Sequence, residues 1–307
     1  MGFADKDRRL SAMIGATAHL NRDTLTNDPD ISVRLTPSYM SSGNQTWTIY
    51  SRGINVKPSH ISVSNLIISG DDQLLRIYGD ASRSPSDTLH IELTNFDLNP
   101  LSQLTATTGY ELSGRANGHA DIVSALGSTY LYAGIDFENM KINDVETPPT
   151  HFQSVWDFER ERARFTITDK TTADTVIRGY YNPANGRYLR DINIPRLDLS
   201  LLDVHVVDVL SNTKGTGNLQ ARISGRGNDL KFNGTLDVKG LSTTIDYTNV
   251  RYNFDDVRFT VSDNVIELKG ATLRDAEGNP GDVNLSVDLN NLSNVAYSIH
   301  LRAHNLL

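Results

Sequence analysis

Two histidines near the end of the chain have the spacing of a zinc-binding pair. His300 and His304 are four residues apart, which on a helix brings two imidazoles to one side and within reach of a single ion. Here they lie in the run Tyr297–His304, whose alternation of apolar and polar residues predicts a β-strand. Positions four apart on a strand are separated by about 13 Å, which one ion cannot bridge. We therefore expect both histidines on a solvated face and no metal site.

The acidic residues form pairs, but not in a pattern typical of catalysis. Asp71–Asp72 and Asp255–Asp256 are neighbours in sequence, so a strand would point them to opposite faces and a turn would point them to water. A glycosidase needs two carboxylates that converge from separate elements, which a sequence does not show. The loop Asp275–Asp282 has acidic and amide groups with two glycines, yet it lacks the ligand order of a calcium-binding EF-hand. A hairpin turn accounts for it better.

Other reactive groups lack the surroundings that their chemistry needs. The chain has no cysteine, which excludes disulfides, thiolate catalysis and cysteine-ligated metals. No serine lies in a GxSxG elbow, and no glycine-rich stretch has the context of a nucleotide loop. With 29 basic and 37 acidic residues the net charge is −8, and no basic patch offers contacts to phosphates. We therefore predict a non-enzymatic protein with no cofactor and no nucleic-acid partner.

The elements that position these groups follow a two-residue rhythm. In Asp282–Leu289, valines and leucines alternate with Asp, Asn and Ser, so a strand would have one apolar and one polar face. The rhythm recurs along the chain and is cut every eight to twelve residues or so by turn residues. At about ten residues per strand and turn, the chain predicts roughly 25 to 30 strands, more than a sandwich uses. We predict an all-β fold in which a long antiparallel sheet curls into an elongated U-shaped groove, a β-taco, with an apolar concave face.

Two apolar segments interrupt the rhythm and predict one or two short helices. In Asn99–Leu104, Asn99 is a suitable cap and Pro100 stands at the first helical position. The valine-rich segment Ser200–Leu210 is compatible with a short helix or with a buried strand.

Matching patterns about 100 residues apart predict a structural repeat. Ile77–Gly79 and Ile177–Gly179, for example, each precede a polar turn and then a leucine. We divide the chain into leading strands at 1–46, repeat-like segments at 47–146 and 147–246, and a partial third segment at 247–307, all within one continuous elongated module.

An apolar face without catalytic groups suits acyl chains, which need apolar area and no reactive partner. A one-residue slip in register would turn any strand inside out, so the assignment depends on the alternation. We expect Leu285→Asp to block lipid passage and leave the chain folded, because a carboxylate beside an acyl chain is unfavourable. The residues predicted to line the groove are Leu219, Ala221, Ile223, Leu236, Val238, Phe259, Val261, Leu285, Val287, Ile299 and Leu301.

Nine short motifs are distributed along most of the chain, and their order matters more than any one of them. They are Leu35–Ser38, Trp47–Ile49, Ile77–Asp80, Leu89–Leu98, Leu112–Gly118, Val155–Phe158, Tyr252–Phe259, Leu273–Asn279 and Ile299–Leu306. In this order the motifs resemble the AsmA-like family that includes TamB, the inner-membrane subunit of the translocation and assembly module of Gram-negative bacteria.

The resemblance implies a periplasmic β-taco that is anchored in the inner membrane by an N-terminal helix and bridges toward the outer membrane. The family is implicated in moving phospholipids between the two membranes. With an outer-membrane barrel partner of the BamA-like type, it is also implicated in the assembly of outer-membrane proteins. We expect this chain to be an internal or C-terminal-region piece of such a protein, whose anchor helix and barrel-contacting end lie outside it.

Three functions follow from these observations. The first is a phospholipid conduit that uses the apolar face. The second is a scaffold for outer-membrane β-barrel assembly that uses exposed sheet edges. The third, a right-handed β-helix acting on polysaccharide, is disfavoured by hairpin-like turns at Asn185–Gly186 and Gly278–Asn279.

Overall fold

The computed structural model describes residues 2–4, 10–24, 26–42, 45–99, 110–205, 210–227, 229–247, 249–290, 296–303 and 305–306. Within these ranges the chain forms 24 β-strands and a seven-residue 3₁₀ helix. The described strand pairings are antiparallel. The predicted fold class, all-β with antiparallel pairing, is confirmed, and the strand number lies close to the expected value. The U-shaped curl of the sheet stays a prediction.

The chain divides into two compact units. The first comprises Met1–Ala106, Glu111–Lys141 and Glu146–Ala173. The second comprises Thr107–Tyr110, Ile142–Val145 and Asp174–Leu307. The repeat boundaries expected near residues 46, 146 and 246 stay a prediction.

Fifteen strands precede residue 170, and all their residues except Ile142 and Val145 belong to the first unit. They are β1 (Gly2–Ala4), β2 (Leu10–Met13), β3 (Ala16–Arg22), β4 (Pro29–Leu35), β5 (Ser38–Ser42), β6 (Gln45–Ser51), β7 (Ile54–Lys57), β8 (His60–Gly70), β9 (Gln73–Ser82), β10 (Thr88–Asp97), β11 (Leu112–Val123), β12 (Tyr130–Ile142), β13 (Val145–Glu146), β14 (Thr150–Asp157) and β15 (Arg162–Asp169).

In the first unit, consecutive pairings join β6, β8, β9, β10 and β11. Their register aligns apolar side chains in rows across the strands, and cross-strand neighbours on one face pack together. One such row is Ile49, Ile68, Leu75 and Leu93. Among the described strands, β3 pairs only with β4, and every residue of β3 is exposed.

The second unit contains nine strands and the 3₁₀ helix. They are β16 (Thr175–Asn182), β17 (Arg187–Asp198), η1 (Leu199–His205), β18 (Leu210–Arg226), β19 (Asp229–Ile245), β20 (Val250–Phe254), β21 (Val257–Ser262), β22 (Val265–Arg274), β23 (Pro280–Asp288) and β24 (Ala296–Ala303). Pairings run without interruption through β16, β17, β18, β19, β21, β22, β23 and β24. The short β20 pairs with both β19 and β22.

The core of the second unit lies where η1 packs on the sheet. Leu199 is 2% exposed and contacts a buried cluster that includes Val238 and Leu268. Gly217 of β18 makes this approach possible, since a Cβ there would lie 2.5 Å from a methyl carbon of Leu236 and 3.3 Å from one of Leu199. The absence of a side chain at Gly217 therefore lets both leucines lie over the backbone of β18.

The two predicted helical segments have different outcomes. From Pro100 onward, the segment Asn99–Leu104 lies outside the described residues. In the segment Ser200–Leu210, the described part up to His205 belongs to η1, so the helical alternative is correct for that part and the buried strand is not.

Candidate functional site

All eleven residues predicted to line a groove lie on one face of the second unit. Antiparallel partners share a face of the sheet, so the register connects them directly. We call the surface formed by these residues and their cross-strand partners the apolar face. One complete row across it is Ile194, Leu219, Leu236, Phe259, Leu268, Leu285 and Ile299. The role of these residues as a lipid lining stays a prediction.

The apolar face is covered in one part and accessible in others. Val238 and Leu268 are 2% and 3% exposed beneath η1 and its neighbours. Leu219 and Ile223 of β18 are only half-buried. On β24, Ile299 is 58% exposed. The face therefore provides a packed core at its centre and apolar surface toward β16–β18 and β24.

Leu285 lies closer to the packed part than the sequence suggests. Its side chain contacts the buried cluster around Leu199 and Val238. A carboxylate at position 285 would thus disturb the core as well as any ligand, and it tests stability and binding together. Ile223, which is half-buried and outside that cluster, allows binding to be tested separately.

Among the registered positions of the apolar face, one residue is charged. Arg190 of β17 is registered opposite Ile223 of β18 on one side and Gly179 of β16 on the other. It is exposed, and its guanidinium carbon lies 5.7 Å from the centre of the Tyr188 ring. The alternation in Arg187–Ile194 could have revealed that Arg190 lies on the apolar face, because Tyr188, Arg190 and Ile192 fall on the same side of a strand.

On the opposite face of the same strands, charges neutralise one another. The Asp191 carboxylate accepts a hydrogen bond from the Arg222 guanidinium at 2.6 Å, and Arg178 lies 3.8 Å away. This hydrogen bond raises the pKa of Arg222 above its ordinary value. These groups lie in a shallow hollow between β16 and β19, where Arg178 and Arg222 share Asp191 as their counter-ion.

Histidines on the polar side of the first unit are paired with aspartates. His90 Nδ1 lies 2.8 Å from Asp121, and His151 Nδ1 lies 2.7 Å from Asp136. Lys170 lies 3.3 Å from the same Asp136 oxygen. The hydrogen bond from His151, supported by Lys170, lowers the pKa of Asp136 below its ordinary range.

A serine, an aspartate and a histidine meet near the turn between β9 and β10, but not in catalytic order. The Ser82 hydroxyl donates to Asp87 at 2.7 Å, and His60 Nδ1 lies 3.7 Å from that same oxygen. Activation of a serine requires its hydroxyl to bond to the base, with the aspartate behind the base. Ser82 is also only 6% exposed. This cluster therefore stabilises the turn.

A further spacing of catalytic type occurs within β18. Ser211 and Lys214 have the SxxK spacing of penicillin-binding enzymes. Because they lie on a strand, they are not brought together by one helical turn, and the Ser211 hydroxyl donates to Asp246. The Ser211 hydroxyl therefore has a structural role, since its bond to Asp246 connects β18 to the turn after β19.

The remaining sequence candidates lie in turns and on solvated faces. His300 is exposed and registered opposite Asn284, on the side away from Ile299, while His304 lies outside the described residues. Asp275 is buried in the turn between β22 and β23 and accepts backbone N–H groups of Glu277 and Asn279 at 2.9 Å each. Within the described residues, no group of three or more acidic or histidine side chains could hold a metal ion.

The fold and this face define an all-β protein whose second unit has an amphipathic antiparallel sheet. No protein-family model, no curated protein and no solved structure matches the chain. The resemblance to the AsmA-like family therefore stays a prediction. In the part of the chain that the structure describes, no helix has the length and apolar character needed to cross a membrane.

Proposed function

We propose that this chain is a non-enzymatic, lipid-binding segment of a periplasmic protein that bridges the two membranes of a Gram-negative bacterium. The apolar face carries phospholipid acyl chains between the inner and outer membranes. An anchor in the inner membrane and a contact with a BamA-like barrel complete the proposed bridge.

The observation that carries this proposal is the continuous row of apolar side chains across β17 to β24. From β16 to β24, the registered positions of the apolar face include no acidic residue. Each methylene group of an acyl chain that such a surface removes from water contributes about 0.8 kcal/mol. The accessible parts of this row thus supply the apolar contact area that an acyl chain needs.

Lipid carried through purification tests the proposal. The chain is expressed in the periplasm of a Gram-negative bacterium, purified without detergent and examined by native mass spectrometry and lipid extraction. We expect bound phospholipid in the wild type. Ile223→Asp should retain about a tenth or less of it, since the new carboxylate faces Arg190 on β17 and places a hydrated ion pair among the positions that acyl chains contact.

Ser224→Asp is the matched control. Ser224 neighbours Ile223 on the same strand but is registered opposite Leu189 and Lys231, on the polar face. The Ser224→Asp variant introduces the same charge and should keep the wild-type amount of lipid. A folded wild-type protein that neither retains phospholipid nor takes it up from added micelles would overturn the proposal.

A second function, scaffolding of outer-membrane barrel assembly, is favoured by the exposed edge strands. Among the described strands, β24 pairs only with β23, and Tyr297 and Ile299 on it are 75% and 58% exposed. Edge strands with free backbone groups and apolar side chains pair readily with other chains.

Ile223→Asp separates the two functions, because Ile223 lies on the apolar face away from the edge, whereas Ile299 on β24 belongs to both. The probe is an unfolded outer-membrane β-barrel protein, and capture is measured by cross-linking. If edge pairing is the activity, Ile299→Lys should reduce capture and Ile223→Asp should not. The opposite pattern would count against the scaffold.

A further inference from the structure

Among the registered positions of the apolar face, Arg190 is the charged one. Around it, the registered positions of the apolar face in β16, β17, the part of β18 from Gly217 to Gly225 and the part of β19 from Leu230 to Val238 are apolar residues or glycine. These positions are Ile177, Gly179, Tyr181, Tyr188, Ile192, Ile194, Leu197, Gly217, Leu219, Ala221, Ile223, Gly225, Leu230, Phe232, Gly234, Leu236 and Val238.

Two arginines on the neighbouring strand β18 have acceptors. Arg222 bonds to Asp191, and Arg226 donates to the carbonyl oxygen of Asn185 at 2.9 Å. Arg190, by contrast, has no carboxylate within ion-pair distance among the described residues, and the contact described for it is the ring of Tyr188. Its five N–H donors are therefore open to a ligand.

The position of Tyr188 is set by the strand beside it. Tyr188 is registered opposite Gly225, where a Cβ would lie 2.7 Å from the tyrosine oxygen. The ring therefore lies over β18, and its hydroxyl donates to the Asp229 carbonyl oxygen at 3.3 Å. A ring held in this way is a platform that orients the planar guanidinium of Arg190.

An arginine on such a face constrains the ligand. If acyl chains cover the apolar face, they also remove water from around Arg190, and an unpaired charge in an apolar setting is costly. An anion removes that cost, and a phosphate matches the guanidinium by accepting two parallel hydrogen bonds. The ligand that supplies both chemistries in one molecule is a lipid with an anionic headgroup.

We infer that Arg190, supported by Tyr188, binds the headgroup phosphate of an anionic lipid whose acyl chains lie along the apolar face. The inference rests on the proposed function and adds to it a preference for one class of lipid and the place where the headgroup sits.

Calorimetric titration of the purified chain with three soluble probes tests the inference. The probes are dioctanoyl phosphatidylglycerol, dioctanoyl glycerol with the same chains and no phosphate, and inorganic phosphate. Arg190→Gln should weaken binding of the phosphatidylglycerol about tenfold and leave dioctanoyl glycerol unchanged. Arg190→Lys, which keeps the charge, should lose less affinity for the phosphatidylglycerol than Arg190→Gln does. Arg178→Gln removes the same charge from the opposite face and should change neither affinity.

The outcomes distinguish the inference from the proposed function. If neither lipid binds the wild type, both fail. If both lipids bind and Arg190→Gln affects them equally or not at all, the headgroup site is wrong while acyl-chain binding stands. If inorganic phosphate alone binds as tightly as the phosphatidylglycerol and depends on Arg190, the site is one for free anions and the lipid assignment is overturned. Circular dichroism of each variant confirms that it is folded.

Discussion

At the scale of single residues, the polar groups of this protein are used in bonds that hold strands together. Gln73 is a clear case, because it is buried at 4% exposure and its side-chain oxygen accepts two hydrogen bonds. One comes from the indole N–H of Trp47 at 3.3 Å and the other from the backbone N–H of Asp97 at 2.9 Å. A single amide thus connects three segments of the first unit.

Replacing Gln73 by leucine should therefore destabilise the protein. The substitution leaves two buried N–H groups without an acceptor, and each costs about 1–3 kcal/mol. We expect a loss of about 2–4 kcal/mol in urea unfolding monitored by tryptophan fluorescence. Gln153→Leu, at an exposed position of β14, is the control and should change the midpoint little. Equal stability of both variants would mean that water replaces the lost acceptor.

The pairing of Asp136 with His151 and Lys170 leads us to expect that stability depends on pH. The pKa of Asp136 is lowered from 3.8, first by the hydrogen bond from His151 and then by Lys170. A lowered folded-state pKa adds stability that is present above pH 3.8 and is lost as the pH falls through the folded value. Asp136→Asn should thus be less stable than the wild type at pH 7, and the gap should close toward pH 3.

Urea unfolding at a series of pH values measures this gap. Asp144→Asn, an exposed change in the turn after β12, is measured in parallel as a control for the chemistry of the substitution. A constant difference between Asp136→Asn and the wild type from pH 7 to pH 3 would show that the pairing has no electrostatic role.

At the scale of elements, η1 decides how much of the apolar face is covered. The helix is short and contributes little stability of its own, so its place depends on the side chain that it buries. That side chain is Leu199, which fills the space over Gly217 and packs with Leu236 and the cluster beneath.

Leu199→Ala should lower stability by about 2–5 kcal/mol, the range for removing a fully buried leucine. The matched control is Leu202→Ala on the same helix, where the leucine is 37% exposed and the loss should be small. Thermal or urea unfolding gives both values. If the two variants are equally stable, the packing of η1 on the sheet is wrong.

At the scale of the whole molecule, protection should fall from inner strands to edge strands. β18 is paired on both sides, whereas β3 and β24 are each paired on one side among the described strands. Backbone amides at an open edge exchange with solvent more readily than amides inside a sheet.

Hydrogen exchange followed by mass spectrometry should show this order. Peptides from β3 and β24 should exchange within the earliest time points, and peptides from β18 and β19 should exchange last. Protection of β24 equal to that of β18 would contradict the open edge and would indicate that another element or a second chain covers it.

The sequence by itself determined the fold class and the membership of the apolar face. A strictly alternating segment such as Asp282–Leu289 can bury its apolar side chains and keep its polar ones in water only as a strand with one apolar face. For the same reason, Leu219, Phe259 and Leu285 could be assigned to one face before their partners were known.

Only the tertiary structure decided which parts of that face are covered and where its charge lies. Register is a relation between distant segments, so the alternation of one strand does not show that Leu285 packs against the cluster containing Leu199, or that Arg190 has no acidic partner among the described residues. The place of η1 depends in turn on Gly217, whose missing side chain matters only once a leucine is packed above it. The sequence specifies which side chains prefer to be buried, and the three-dimensional pairing of strands specifies what each of them meets.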